Sequence, residues 1–574
     1  MGRSAYGRVT VVLRRPVLVT SCFLFIGTWL LLSAAAPGHF FVADEMCYFY
    51  MAQNFVDHGK FDVPSREVDV NVRQAQLGKD GRYYAPHSFG HSFYLVPWVG
   101  VGRLFQWLLE TPWAPVFAFS FAHSLTISLT WTLFFLILVS YGISTRAALV
   151  FALASVVSTL ALPYARSLFA EPLLALSLTG AWLAFRKRGD GWFVCALIGA
   201  LALAFSVTVR PTTAVLLPGF WLLALQQAGA SQSGLETPVA SGKWRVASGK
   251  WQVRRYGAPG IVMSISLAGL VLFGLYNYVR FGSVLTIGYP PLSTGQPQGF
   301  NTPIWFGMAV FLASPGKAVW LFCPLLVLSA VGYRRLWKVE RTTAVFVAWV
   351  FLSNLVLHSL WTQPEGGFCW GPRFFVGVLP VLLLPAALIW HWSHSPSVRY
   401  GMGGLVLLGL VVQGIGISVN YSGVLLFESM LPKEASKAVY YSAPERYNLA
   451  FSPFPAHIDK LAGIISEGNP LALRHPLVRA ASDRSTTHSF PFWWDTLDVW
   501  AVHLVKDGYR VSRVFAIELL LIFSGLLSLV CAFRAARTPG PGDDTSPPRS
   551  ADEVAFAPVD EPVETCSDYP GRIS

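Results

Sequence analysis

In 574 residues the chain carries 53% hydrophobic residues and only 13% charged ones, where an average soluble domain has about 25% charged. That deficit excludes an ordinary soluble globular protein and points to one whose main solvent is lipid. The net charge of +12 does not point to nucleic acid, because the basic residues cluster beside the apolar stretches as cytoplasmic anchors do. The clusters are Arg8, Arg14 and Arg15; Arg186, Lys187 and Arg188; Arg334, Arg335 and Lys338; and Arg534 with Arg537.

Residues 1–15 read as a cytoplasmic N-terminus and 16–36 as the first span. Its apolar core exceeds the 7–15 residues of a cleavable signal, so a retained anchor is expected. The first outer loop, 37–88, holds "ADEMCYFYMAQNFVDHGKFDV". Tyr48, Ala52, Phe55 and Val56 recur at helical spacing, which predicts an amphipathic helix along the membrane with Asp44 and Glu45 at its N-terminus. The polar stretch "GKDGRYYAPHSFGHSFYLVPW", with Tyr84, His87 and His91, leads into the next apolar segment.

Further spans are expected near 89–109, 113–141, 146–163, 168–185, 191–209, 211–227, 259–279, 317–333, 342–360, 373–392, 398–419 and 513–533. The fold class is all-α, a polytopic membrane protein with about 12–14 transmembrane helices in a core over 16–420. These thirteen spans conflict with two cytoplasmic ends, which require an even number of crossings, so 89–141 holds either one crossing plus a re-entrant or interfacial piece or three short crossings. The basic stretch 228–258 contains a tandem heptad, "VASGKWR" then "VASGKWQ", which reads as a tolerated insertion. Segments 280–316 and 361–373 read as outer loops, and 421–512 as a small cap on the outer face. A last transmembrane helix, 513–534, precedes a Pro-rich acidic tail, 535–574, expected to be disordered. The seven cysteines form no CxxC pair and suggest no metal site. Cys47 and Cys369 both fall on the outer face, a setting in which a disulfide can form.

Charges at mid-depth in a span cost about 3 kcal/mol or more, and the spans are nearly free of them. Glu171, Arg210, Lys317, His358, Arg373 and Glu518 fall near expected outer ends, and His123 lies in the stretch whose topology stays open. The polar groups therefore gather at one face, which suits an enzyme at the interface better than a transporter with a midplane site.

Four pieces align on that face: the Asp44–Glu45 loop, "GRYYAPHSFGHSF", the "RPT" boundary at Arg210, and "WTQPEGGFCWGPRFFVGVLP" around Arg373. Together, over about residues 16–530, they resemble the GT-C superfamily of integral-membrane glycosyltransferases. The likeness is to the glycosyltransferase family 39 type, related to protein O-mannosyltransferases and the lipid A aminoarabinose transferase. The resemblance implies transfer of a monosaccharide from a polyprenyl-phosphate donor to a glycan, lipid or protein acceptor, with inversion and without a covalent intermediate. It implies a bacterial-type plasma (inner) membrane setting, with the site on the extracytoplasmic face among membrane lipids. Asp44 is the expected general base with Glu45 beside it as a second catalytic candidate. Tyr84, His87, Arg210, Lys317 and Arg373 are the expected substrate-binding residues.

The chemistry stands beside the resemblance. A sugar or Ser/Thr hydroxyl is a weak nucleophile, and a carboxylate that takes its proton contributes roughly 10²–10⁴-fold. A departing lipid phosphate gains negative charge that preorganised cations stabilise, and arginine suits phosphate through its fork. No cofactor and no obligatory metal are expected for a monophosphate donor.

Plainer readings compete at each position. Asp44 and Glu45 can be first-turn acids favouring a helix dipole. Arg210 can be a snorkelling anchor, Lys317 part of a turn, and Glu171 the structural partner of Arg166. His87 and His91 can be simply solvated, and Trp493, Trp494 and Asp495 fit an interfacial aromatic belt. A lipid or oligosaccharide transporter and a non-catalytic envelope scaffold are the alternative functions.

Overall fold

The computed structural model describes residues 15–64, 75–187, 191–233, 257–289, 298–367, 369–393, 395–421, 453–467 and 496–537. The duplicated heptad, the acidic tail, Trp493, Trp494 and Asp495, and most of 421–512 lie outside these residues.

The chain is built from helices. Helix α1 (Arg15–Ala34) leads through a short turn to α2 (Ala43–His58), which starts with Asp44 and Glu45 where the helix dipole favours acids. It ends at Gly59, whose φ of 69° supplies the left-handed cap. Tyr48 and Ala52 of the expected stripe are buried, but so are Cys47, Phe49 and Met51, while Val56 is 40% exposed. The first turns of α2 are thus packed into the protein on several sides, against the sequence expectation of a one-faced interfacial helix. A two-stranded hairpin, β1 (Gln76–Leu77) and β2 (Tyr83–Tyr84), pairs Gln76 with Tyr84 and precedes α3 (Phe89–Leu109).

The stretch whose crossings stay open in the sequence holds α3, then α4 (Ala114–Phe119) and α5 (Ala122–Ser140). Helices α4 and α5 run as one apolar unit of 27 residues, long enough to cross a bilayer. Next come α6 (Thr145–Ser158), the single turn α7 (Ala161–Tyr164), α8 (Glu171–Arg186) and α9 (Trp192–Val209). Arg210 is extended, at φ −150°, and Pro211 opens a 3-10 turn (Pro211–Leu216) that runs into α10 (Leu217–Ser233). Proline fits there because its fixed φ starts a helix and its missing N–H would be unpaired anyway. Helix α11 (Ala258–Phe281) follows.

The expected loop 280–316 contains a helix, α12 (Ile304–Ala313), and the expected span 317–333 is two pieces, α13 (Val319–Phe322) and α14 (Leu325–Val339). Helix α15 (Arg341–Leu360), a 3-10 turn (Arg373–Val378), α16 (Leu379–Trp392) and α17 (Pro396–Ser418) complete the main array. From the expected cap, α18 (Pro453–Glu467) and α19 (Trp500–Lys506) are described, and α20 (Val511–Ala535) is the last helix.

Eight helical units among the described residues are long and apolar enough to cross a membrane. The chain is therefore an all-α polytopic membrane protein; among the described residues, eight of the thirteen spans expected from sequence are matched by these units. Several expected spans, including α6 and α14, are 14 or 15 residues long, short of the roughly 20 needed. Helix α20 lies along α1, where Gly27 and Gly525 let the two backbones approach closely. The largest apolar core joins α5, α6, α8 and α16 through Phe134, Phe135, Phe151, Trp182 and Leu383. A second core packs α2 against α3 and α4 through Phe49, Leu95 and Phe119.

Candidate functional site

Five helix ends meet at a cavity of about 330 Å³. Asp44 and Tyr48 come from the first turns of α2, and Glu171 opens α8. Arg210 follows the end of α9, and Arg373 opens the 3-10 turn ahead of α16. His87 reaches it from the loop after the hairpin, and His358 from the last turn of α15. The rest of the lining is largely apolar, including Val215, Phe273, Ile287, Phe300, Leu357 and Trp361.

The ionic groups form one chain. Arg373 Nη1 lies 3.3 Å from Asp44 Oδ2, and Arg373 Nε 3.8 Å from Glu171 Oε1. Arg210 Nη1 donates to the same Glu171 oxygen. His87 Nε2 lies 3.8 Å from Asp44 Oδ1. Both guanidiniums also lean on aromatic faces: Arg210 sits 4.7 Å from the Phe374 ring centre and Arg373 4.8 Å from that of Phe169. Such cation–π contacts fix a guanidinium without neutralising it. Gly366 is what admits Arg373. Its φ of +80° suits glycine, and a Cβ there would come within 2.9 Å of Arg373 Cγ.

Burial by itself would raise the Asp44 carboxyl, but His87, Arg373 and Arg210 outweigh it and hold the group below its ordinary value. Burial, with Arg373, Arg210 and Arg280, keeps the His87 imidazole on the neutral side against the pull of Asp44. The lasting part of the pull on Asp44 is therefore that of the two arginines. Asp44 is an ionised carboxylate, partly exposed to the cavity and held by a cation that a phosphate can compete for.

The sequence-derived residues separate into two sets. Asp44, His87, Arg210 and Arg373 converge on the cavity. Glu45, Tyr84 and Lys317 do not line it. Glu45 is fully buried, and its two oxygens take the N–H groups of Phe41 at 2.6 Å and Leu168 at 2.8 Å. Burial pushes its carboxyl up to about 8 even against those donors. It ties the α2 N-terminus to the turn before α8. Tyr84 donates to Asp80 at 2.9 Å inside the hairpin. Lys317 donates to the carbonyls of Cys369 at 2.7 Å and Gly371 at 3.1 Å, pinning the loop that carries Arg373. Cys47 and Cys369 are both free thiols, so the disulfide considered from the sequence is not formed.

Glu171 is the group the sequence undervalued. Its expected partner, Arg166, instead bonds Asp498, 332 positions away, through Nη2 at 3.1 Å from Oδ2. Glu171 is left to bind Arg210 and Arg373. The available signal was an acid directly before a proline at a helix start, "FAEP", on the same face as the other charges. His358 and Tyr48 also line the cavity; the sequence placed His358 at an outer end and Tyr48 on a helix stripe, without giving either a role in the site.

Among the described residues, one set of side chains has metal-ligand spacing: His39, Asp498 and His503. His39 Nε2 lies 2.7 Å and His503 Nε2 3.2 Å from Asp498 Oδ1. Arg166 already matches the single carboxylate charge, and it further donates to the carbonyls of Ala35, Ile417 and Asp498. A divalent ion there would add buried positive charge with nothing to offset it. The cluster fits a latch better than a metal centre.

Neither a protein-family model nor a curated protein matches the chain.

Proposed function

We propose that this membrane protein is a glycosyltransferase of the GT-C kind. It moves a monosaccharide from a polyprenyl-phosphate carrier to an acceptor hydroxyl, at the extracytoplasmic face of a plasma membrane. The observation that carries this reading is the juxtaposition of Asp44 with Arg373 and Arg210 in a cavity whose remaining wall is largely apolar. An isoprenoid phosphate needs both halves of that surface: cations for its head and apolar side chains for the first units of its tail.

The residues divide the work. The acceptor oxygen attacks the anomeric carbon as the bond from that carbon to the phosphate oxygen breaks. Asp44 takes the hydroxyl proton, and the electron pair of the broken bond leaves with the phosphate. Arg210 and Arg373 meet that growing charge. A carboxylate locked to a guanidinium is a poor base. A donor phosphate that draws Arg373 toward itself releases Asp44 at the moment the base is needed. Glu171, bound to both arginines, keeps the two guanidiniums together while this exchange occurs. His87 stands 3.8 Å from Asp44, close enough to take up the proton afterwards after a small movement.

The test compares cell-envelope glycans and glycolipids by mass analysis in cells with the gene, without it, and with Asp44→Asn. The expected result is that Asp44→Asn inserts normally yet lacks the same sugar as the deletion. A normal glycan profile in Asp44→Asn cells would remove Asp44 from the reaction.

A further inference from the structure

The last turn of α11 carries an arginine with no carboxylate in salt-bridge range among the described residues. Arg280 is fully buried. Its Nη1 donates to the carbonyl of Ala85 at 2.7 Å and to that of His87 at 3.4 Å, and its Nη2 donates to Asn277 Oδ1 at 2.6 Å. The Tyr276 ring centre lies 4.0 Å from the guanidinium carbon. The main-chain carbonyl of Arg280 accepts the Lys79 N–H at 2.8 Å, and a Cβ on Gly78 would come within 2.8 Å of that carbonyl. One residue therefore grips the hairpin loop at its tip and again on both sides of cavity-lining Pro86.

A buried guanidinium held by carbonyls instead of an acid is costly to keep. Anchoring a surface hairpin does not require it, since a neutral side chain can donate to a carbonyl. The distinctive result of this arrangement is a fixed positive charge directly behind His87. We propose that Arg280 is a positioning residue of the candidate site: it holds segment 85–88 so that the His87 imidazole stays beside Asp44. The inference rests on Asp44 being the working carboxylate.

His87 is faced by Asp44 and Tyr48 from α2, His91 from α3, Arg210 after α9, Arg373 before α16 and Arg280 from α11. Burial and the three arginines oppose its charged form, and Asp44 favours it. Removing the Arg280 charge weakens that opposition, so His87 then takes its proton at higher pH.

The test uses the full-length protein in lipid nanodiscs with no donor or acceptor added. Diethylpyrocarbonate attacks neutral imidazole, so its rate at His87, followed by mass spectrometry across pH, gives the protonation midpoint. Deuterium exchange across residues 75–88 reports the grip. In Arg280→Gln the midpoint is expected to rise, and exchange across the loop to quicken by about tenfold. In Arg280→Lys the charge returns without the fork, so exchange stays fast and the midpoint falls below that of Arg280→Gln. A wild-type midpoint or wild-type exchange in Arg280→Gln would overturn the proposal. Should that variant fail to fold, Asn277→Ala loosens the guanidinium and keeps its charge. Exchange about threefold faster is then expected, and a wild-type rate overturns the proposal. Since no substrate is present, the result is independent of whether the glycosyl-transfer reading survives the Asp44→Asn test.

Discussion

Two buried ionic clusters in this protein use the same residue types for opposite ends. In the Arg166–Asp498 cluster every side chain is sealed from solvent, and the guanidinium donates to three main-chain carbonyls as well as to the carboxylate. His39 and His503 complete the ring around Asp498. In the Asp44–Arg373 cluster the two side chains keep 17% and 16% of their surface, they meet at 3.3 Å, and both face a cavity. A saturated cluster fixes geometry. One whose cations are held loosely enough for a ligand to compete can do chemistry. Completeness of hydrogen bonding separates the two more sharply than charge or burial does.

Two variants would break that contrast if it is wrong. Asp44→Asn is expected to lower transfer activity by about 10²-fold or more while leaving the melting temperature in detergent near that of the parent. Asp498→Asn is expected to do the reverse. It leaves Arg166 buried beside a neutral amide, which destabilises the fold by about 3–5 kcal/mol, read as a lower melting temperature and less inserted protein. A large stability loss in the first variant, or none in the second, would exchange the roles assigned to the clusters. Arg373→Lys sharpens the comparison with a smaller effect. Lysine keeps the charge but loses the planar fork and the aromatic stacking, so binding of undecaprenyl phosphate should weaken by about tenfold.

The cluster at the cavity was more legible in the sequence than the latch, for a physical reason. Asp44, Arg210 and Arg373 each stand where an apolar segment begins or ends, and the membrane forces all such ends onto common planes. Pattern alone therefore places them together without giving the fold between them. His39 and Asp498 are 459 positions apart, and no periodicity links them. The assignment of Glu171 to Arg166 failed because nearness in sequence stood in for nearness in space. Arg166 sits in the turn after α7 and reaches Ala35, Ile417 and Asp498, whereas Glu171 opens α8 and meets Arg210 after the end of α9. The α12 helix was hidden by the prolines and glycines around it, and its ten residues are too few to give a span signal.

Glu45 offers the finest test, because it adjoins Asp44 in sequence and belongs with the latch in kind. With its carboxyl pushed up to about 8 from an ordinary value of 4.5, the folded chain keeps a proton there that the unfolded chain has lost. Stability must then fall as pH rises from about 4.5 to 8, by at most about 1.4 kcal/mol per unit. Glu45→Gln cannot titrate and should remove that slope from melting temperatures measured between pH 5 and 8. The amide retains one acceptor for the two N–H groups of Phe41 and Leu168, so a stability loss of about 1–2 kcal/mol accompanies the change. Activity at the parent's optimum should stay within a few-fold. A loss as deep as that of Asp44→Asn would mean that the second carboxylate of the pair also reaches the substrate, and the line drawn between saturated and competent clusters would not hold.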